Sequence, residues 1–277
     1  MRLLICSFSI YFLVSSGPLL ASDLRQHNLE YLVYIGGLRA INISFNSSIR
    51  KDYYRGKLKL KTEGLIGKLF KWSSSAFSYG EIKQSTVFPQ RAGRDSIWQN
   101  KNRKVRLNFQ RNGVPIVKLV PEPPNIKYRL SPSLQLAGTR DLIGAIVSYL
   151  SFAGESGSCV KSEAIFDGKR RYNLEFENQV KMGLTRDQYS TYHGPSLRCH
   201  IKLEKIAGFR PETGRYKWIT DGSARIWLGR VFPNAMMFPV RIEADTNFGG
   251  LFVHLISAEQ VFKGESTKIK SSYNKKK

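Results

Sequence analysis

Apolar and polar residues alternate with a period of two along most of the chain: YLVYIGG, RAINISF, KLKLKT, VRLNF, PIVKLV, YNLEF, LRCHIKL, PVRIEA and LFVHLI. Successive side chains on a strand point to opposite faces, so this spacing predicts antiparallel strands with one face buried. Two segments depart from it. In TRDLIGAIVSYL, Thr139 offers an N-cap, Asp141 suits the first turn, and Leu142, Ile143, Ile146, Val147 and Leu150 fall on one side at helical spacing. In EGLIGKLFKW, Leu65, Ile66, Leu69, Phe70 and Trp72 share a broad face, weakened as a helix by two glycines. Apolar helical faces need an apolar surface to cover them. The expected fold is therefore mainly β: a single strongly curved antiparallel sheet forming an open or half β-barrel, with one or two helices packed on or in it.

The stretch FDGKRRYNLEF tests that pattern in detail. If Asp167 and Gly168 alone made the turn, each face would mix apolar and charged residues. A three-residue loop that includes Lys169 pairs Ala164 with Tyr172, Ser162 with Leu174 and Val160 with Phe176, which sorts the faces. Tyr172, Leu174 and Phe176 then point inward, and Lys169, Arg170 and Arg171 occupy the tip and the solvent side. Three cations at a hairpin tip are more often a solvated turn than a phosphate clamp, because anion sites add converging backbone amides.

Met1 and Arg2 precede an apolar stretch from Leu3 to Val14, followed by SSGPLLAS. Basic, then apolar, then small is the order of a secretory signal peptide, with a cut near Ala21 or Ser22, and the apolar run is short for a membrane span. Export removes Cys6 and leaves Cys159 and Cys199, which are expected to pair in an oxidising compartment. Two lone thiols do not make a metal site, and no metal or cofactor is expected. The segment 23–262 reads as one domain, and the Lys-rich residues 263–277 as a disordered tail.

The formal charge of +23 favours anionic partners. The cations are scattered over strands and loops without a helix-turn-helix, zinc-finger or RNA-binding signature, so nucleic acid is not expected as a partner. An anionic envelope polymer or membrane surface suits an exported chain better. No G-x-S-x-G, H-E-x-x-H, phosphate-binding glycine loop or close cysteine pair is present. The chain is read as non-enzymatic, with an uncharacterised hydrolase as the least favoured reading.

YLVYIGGLRA, TEGLIGKLFKW, TRDLIGAIVSYL, FDGKRRYNL, LRCHIKLEKIAGF, IWL at 226–228 and PVRIEADTNFGGLFVHL, in that order, resemble an exported proteobacterial family of domains of unknown function, DUF3108. That family is distantly similar to periplasmic lipoprotein carriers, whose incomplete barrel shields acyl chains beneath a helical lid. The resemblance implies a periplasmic location and raises hydrophobic-ligand binding as an expectation. Two readings follow. In one, the concave side holds a lipid or a lipoprotein acyl chain, lined by Trp72, Phe70, Leu142 and Ile146, with Arg170, Arg171 and Arg241 meeting an anionic headgroup. In the other, the barrel is packed and the protein supports envelope integrity through its basic surface. Arg241 and Glu243 also share a strand face, where an ion pair is the plainer expectation.

Overall fold

A computed structural model of the chain describes residues 23–122, 136–209, 223–233 and 235–271. The leader expected over residues 1–22 lies outside these. Strands β1 (Arg25–Ile35), β2 (Leu38–Arg50), β3 (Tyr53–Thr62), β4 (Trp72–Lys83), β5 (Thr86–Trp98), β6 (Lys101–Phe109) and β7 (Pro115–Val120) form an antiparallel meander. A second meander contains β8 (Lys161–Phe166), β9 (Arg171–Leu184), β10 (Gly194–Ala207), β11 (Ala224–Gly229), β12 (Phe238–Thr246) and β13 (Gly249–Phe262). β14 (Glu265–Lys270) pairs with the second half of β13. The meanders join into one 14-stranded sheet where β1 pairs with β13, from Arg25↔Phe262 to Ile35↔Leu251.

The outer strands β7 and β8 do not pair with each other, so the barrel is open. Residues leading into helix α2 (Leu142–Ser156) bridge the gap. The Arg140 amide donates to the Ala164 carbonyl and the Phe166 amide to the Arg140 carbonyl. The Arg140 guanidinium donates to the Val87 carbonyl on β5 at 2.9 Å and reaches Glu163 on β8 at 3.2 Å. Leu136 and Phe166 pack with Ala92 and Leu107 into a small second core beside this seam.

The main core forms where α2 lies against β3, β4, β5 and β8. Its buried residues Ile143, Val147, Tyr149, Leu150 and Ala153 repeat at helical spacing. Gly56 lies under the helix, and a Cβ there would collide with the Ile143 side chain, so the absence of a side chain admits the helix. The Tyr149 ring stacks on Phe176 with centroids 3.7 Å apart, and its hydroxyl donates to the Cys159 carbonyl at 3.1 Å. The expected Cys159–Cys199 disulfide is present, joining the segment after α2 to β10.

Four expectations need correction. The N-cap of α2 is Asp141, whose carboxylate accepts from the Ile143 and Gly144 amides, whereas the Thr139 hydroxyl donates to the Leu136 carbonyl. The second helix, α1 (Gly64–Leu69), is present against β2 but ends before Phe70 and Trp72, which the helical spacing placed on its face; Trp72 instead opens β4, and α1 buries no residue. Residues 263–271 are not an unstructured tail: β14 uses backbone pairing along β13, which asks little of side-chain composition, and Ile269 packs on the core.

The fourth concerns the hairpin register. Phe166 pairs with Arg171, Ile165 with Tyr172, Glu163 with Leu174 and Lys161 with Phe176. The loop is therefore four residues long, because the Asp167 carboxylate accepts from the Lys169 and Arg170 amides at 3.0 and 2.8 Å. Leu174 and Phe176 still face the core. The slip by one turns Glu163 inward, where it is 1% exposed and held by Arg140, Lys161 and the Ser148 hydroxyl.

Candidate ligand-binding face

Antiparallel order places the β1–β2, β3–β4, β5–β6, β8–β9 and β12–β13 connections at one end of the barrel, and α2 fills the interior toward the other. At the first end the inward positions run in register across four strands: Ile43↔Leu60, Leu60↔Ser74 and Ser74↔Ser96, with Trp72↔Trp98 beside them. Ser74 and Ser96 hydrogen-bond through their hydroxyls at 3.1 Å, which confirms that they share the concave face. The convex face carries the interleaved residues, where Arg106 pairs with Asp95 at 2.7 Å and lies over the Phe77 ring.

Among the described residues this part of the concave face is only partly covered. Ile41, Ile43, Leu58, Leu60, Trp72 and Ala76 are half-buried, and Trp98 is exposed. Next to the tryptophans, register places three cations on the same face: Arg94 opposite Val105, Arg103 opposite Ser96 and Lys101 opposite Trp98. All three are exposed, and none takes part in an ion pair among the described residues. An apolar strip flanked by unneutralised cations is suited to a molecule with an apolar body and an anionic head.

Toward the plugged end the polar groups are occupied with each other. His27 meets the Ser47 hydroxyl at 3.2 Å and the Gln260 amide at 3.0 Å, and its ring lies 5.0 Å from that of Phe238. Burial, reinforced by Arg25, pushes its pKa down to about 4. The Asp141 carboxylate accepts from the Ser78 hydroxyl at 2.7 Å, and Ser78 bonds the Tyr54 hydroxyl at 2.9 Å. Burial pushes the Asp141 pKa up to about 6 against these hydrogen bonds. Through Asp141 the Ser78 and Tyr54 pair ties the start of α2 to β3 and β4.

The residues singled out from sequence are dispersed. Trp72 lies in the strip, and Phe70 is exposed just beyond α1, at the rim of the same end. Leu142 and Ile146 are on α2, which sits over the Ser78 part of β4; six strand residues, about 20 Å, separate that from Trp72. Arg170 pairs with Asp167 at 3.2 Å at the hairpin tip and lies 5.9 Å from the Phe209 ring. Arg171 donates to the Tyr172 carbonyl and to Asn173. Arg241 is on the convex face of β12, ion-paired with Glu243 and 5.5 Å from the Trp227 ring. The concave cations and Trp98 were missed, although Arg94, Ser96 and Trp98, and Lys101, Arg103 and Val105, carry the signal: alternate positions on consecutive strands.

A family model described as a protein of unknown function, DUF3108, matches residues 30–256. No curated protein matches the chain. Among solved structures, a beta-barrel-like protein of domain of unknown function DUF1849 from Brucella abortus is similar at a TM-score of 0.44 and 10% identity. The similarity covers 87% of this chain and 98% of that one.

Proposed function

The chain belongs to the DUF3108 family of proteins of unknown function, and on that basis we propose that it is a non-catalytic protein of the bacterial envelope that holds an anionic amphiphile. The ligand class is a lipid or a lipoprotein acyl chain, with its apolar part against the concave strip and its head toward Arg94, Lys101 and Arg103. The order of basic, apolar and small residues at the start of the sequence supports export to the periplasm. The observation that carries the binding role is the half-exposed row of Ile41, Ile43, Leu58, Leu60 and Trp72 on the concave side, continuous with the exposed Trp98 and with cations that no described carboxylate neutralises.

The test uses the chain from Asp23 onward, stripped of copurifying lipid and titrated with a fluorescent long-chain fatty acid below its micelle concentration. The expected result is near-stoichiometric uptake with energy transfer from tryptophan, weakened about tenfold in Trp98→Ala, the loss for one large apolar contact. A folded protein that takes up no probe, and that shows a clean ligand-free mass when purified from its own host, would overturn the reading and favour a packed barrel acting through its basic exterior.

A further inference from the structure

The connections at the open end carry apolar side chains that nothing among the described residues covers. Phe248 in the β12–β13 turn is 83% exposed, and Leu69 and Leu65 of α1 are 74% and 61% exposed. These are the three most exposed large hydrophobic residues described, and all lie at this end. Phe70 and Leu38 add to them at about half exposure. The elements that bear them adjoin. The Gly36 amide donates to the Gly250 carbonyl, tying the β1–β2 turn to the β12–β13 turn. The Glu63 amide donates to the Ala40 carbonyl, and Arg39 pairs with Glu63 at 2.9 Å, tying α1 to β2. Lys68, Lys71, Lys101 and Lys169 are exposed on the same set of connections.

We propose that this rim is a docking surface for an anionic lipid bilayer, which seats the mouth of the concave strip on the membrane. Three features favour a bilayer over a protein partner. The apolar tips come from separate connections, which a fluid surface accommodates without a matching shape. Lysines are interleaved with them, whereas lysine is depleted from protein–protein interface cores. Apolar anchors flanked by lysine, on a chain of net charge +23, match the forces that hold proteins at anionic membrane surfaces. The inference rests on the amphiphile reading for its purpose, since a bilayer is where such a ligand would be collected or delivered, and on different residues for its test.

The experiment is co-sedimentation of the chain from Asp23 onward with vesicles of phosphatidylcholine alone and of phosphatidylcholine with one quarter phosphatidylglycerol. The wild-type chain is expected to bind the anionic vesicles and to release progressively as salt rises. Leu69→Glu with Phe248→Glu should weaken binding by about tenfold or more, since each change removes an inserted apolar side chain. Both side chains are exposed, so the thermal midpoint should be unchanged; Phe88→Glu, at an exposed site at the other end of β5, should bind as wild type. Absence of binding to anionic vesicles, equal binding to both vesicle types, or unchanged binding by the folded double variant would overturn the proposal. Uptake of the monomeric fatty-acid probe separates the two ideas: a rim variant that keeps uptake but loses vesicles fails at docking alone, and loss of uptake with retained vesicle binding fails the strip alone.

Discussion

Replacing Asp141 by Asn should change how stability depends on pH, with the variant gaining on the wild-type protein as pH rises. Burial lifts the Asp141 pKa from 3.8 to about 6. Between those values the folded state binds a proton that the unfolded state does not, so folding is favoured at low pH and the contribution is lost as pH rises through 6. A shift of that size corresponds to about 3 kcal/mol. Asparagine keeps an oxygen for the Ile143 and Gly144 amides and carries no charge, which makes it a stand-in for the protonated acid at every pH. The difference in unfolding free energy, variant minus wild type, should therefore grow by about 3 kcal/mol from pH 4 to pH 7, or about 6–12 °C in midpoint for a domain of this size. Any fixed cost of the altered hydrogen bonds shifts the whole difference and leaves its slope intact. His27 acts in the opposite sense: its pKa is held at about 4 rather than 6.5, so wild-type stability falls as pH drops through that window. The two windows overlap and offset in the wild type, and the variant should expose the His27 slope. Denaturant melts at pH 4, 5.5 and 7 would decide the matter; a pH-independent difference between the two proteins would refute a raised Asp141.

Two structural predictions accompany it. Reducing the Cys159–Cys199 bridge, which closes a separation of 40 residues, should remove about 4 kcal/mol by chain-entropy reasoning and lower the thermal midpoint, and identical midpoints with and without reductant would count against this. Glu163→Gln should cost about 3 kcal/mol, since it leaves Arg140 and Lys161 facing a neutral amide at the seam; hydrogen exchange at the Phe166 amide should quicken, and protection equal to wild type would show that the carboxylate does not hold the seam.

Much of the sheet was legible because the period-two pattern is a direct readout of one buried face, as Leu29, Tyr31 and Val33 on β1 or Leu197, Cys199 and Ile201 on β10 illustrate. The disulfide was legible because only Cys159 and Cys199 remain once the apolar leader expected over residues 1–22 is set aside. The register at Asp167 was not, since sorting side chains by polarity cannot register a carboxylate that caps two backbone amides, and the burial of Glu163 depends on Arg140, 23 residues away in sequence. The apolar face of α1 was visible, but amphipathicity says which residues are apolar and not whether anything covers them. Trp72 was identified while Trp98 was not, because their adjacency is a property of the β4–β5 register rather than of either segment.

The order of strands has a consequence for how the molecule is assembled. Among the described strands every neighbouring pair except β1 with β13 is also consecutive along the chain, so each meander can grow by adding hairpins, all but the β10–β11 connection (208–223) closing over nine residues or fewer. The β1–β13 junction spans 237 residues at Arg25↔Phe262, and it can form only after the last long strand has been made. Before that pairing each meander has an open border, and in the folded chain the halves are joined by it, by the helix packed inside and by the Arg140 seam with its small second core. The protein is thus two locally paired halves whose union carries the largest sequence separation in the described sheet, the kind of contact that slows folding.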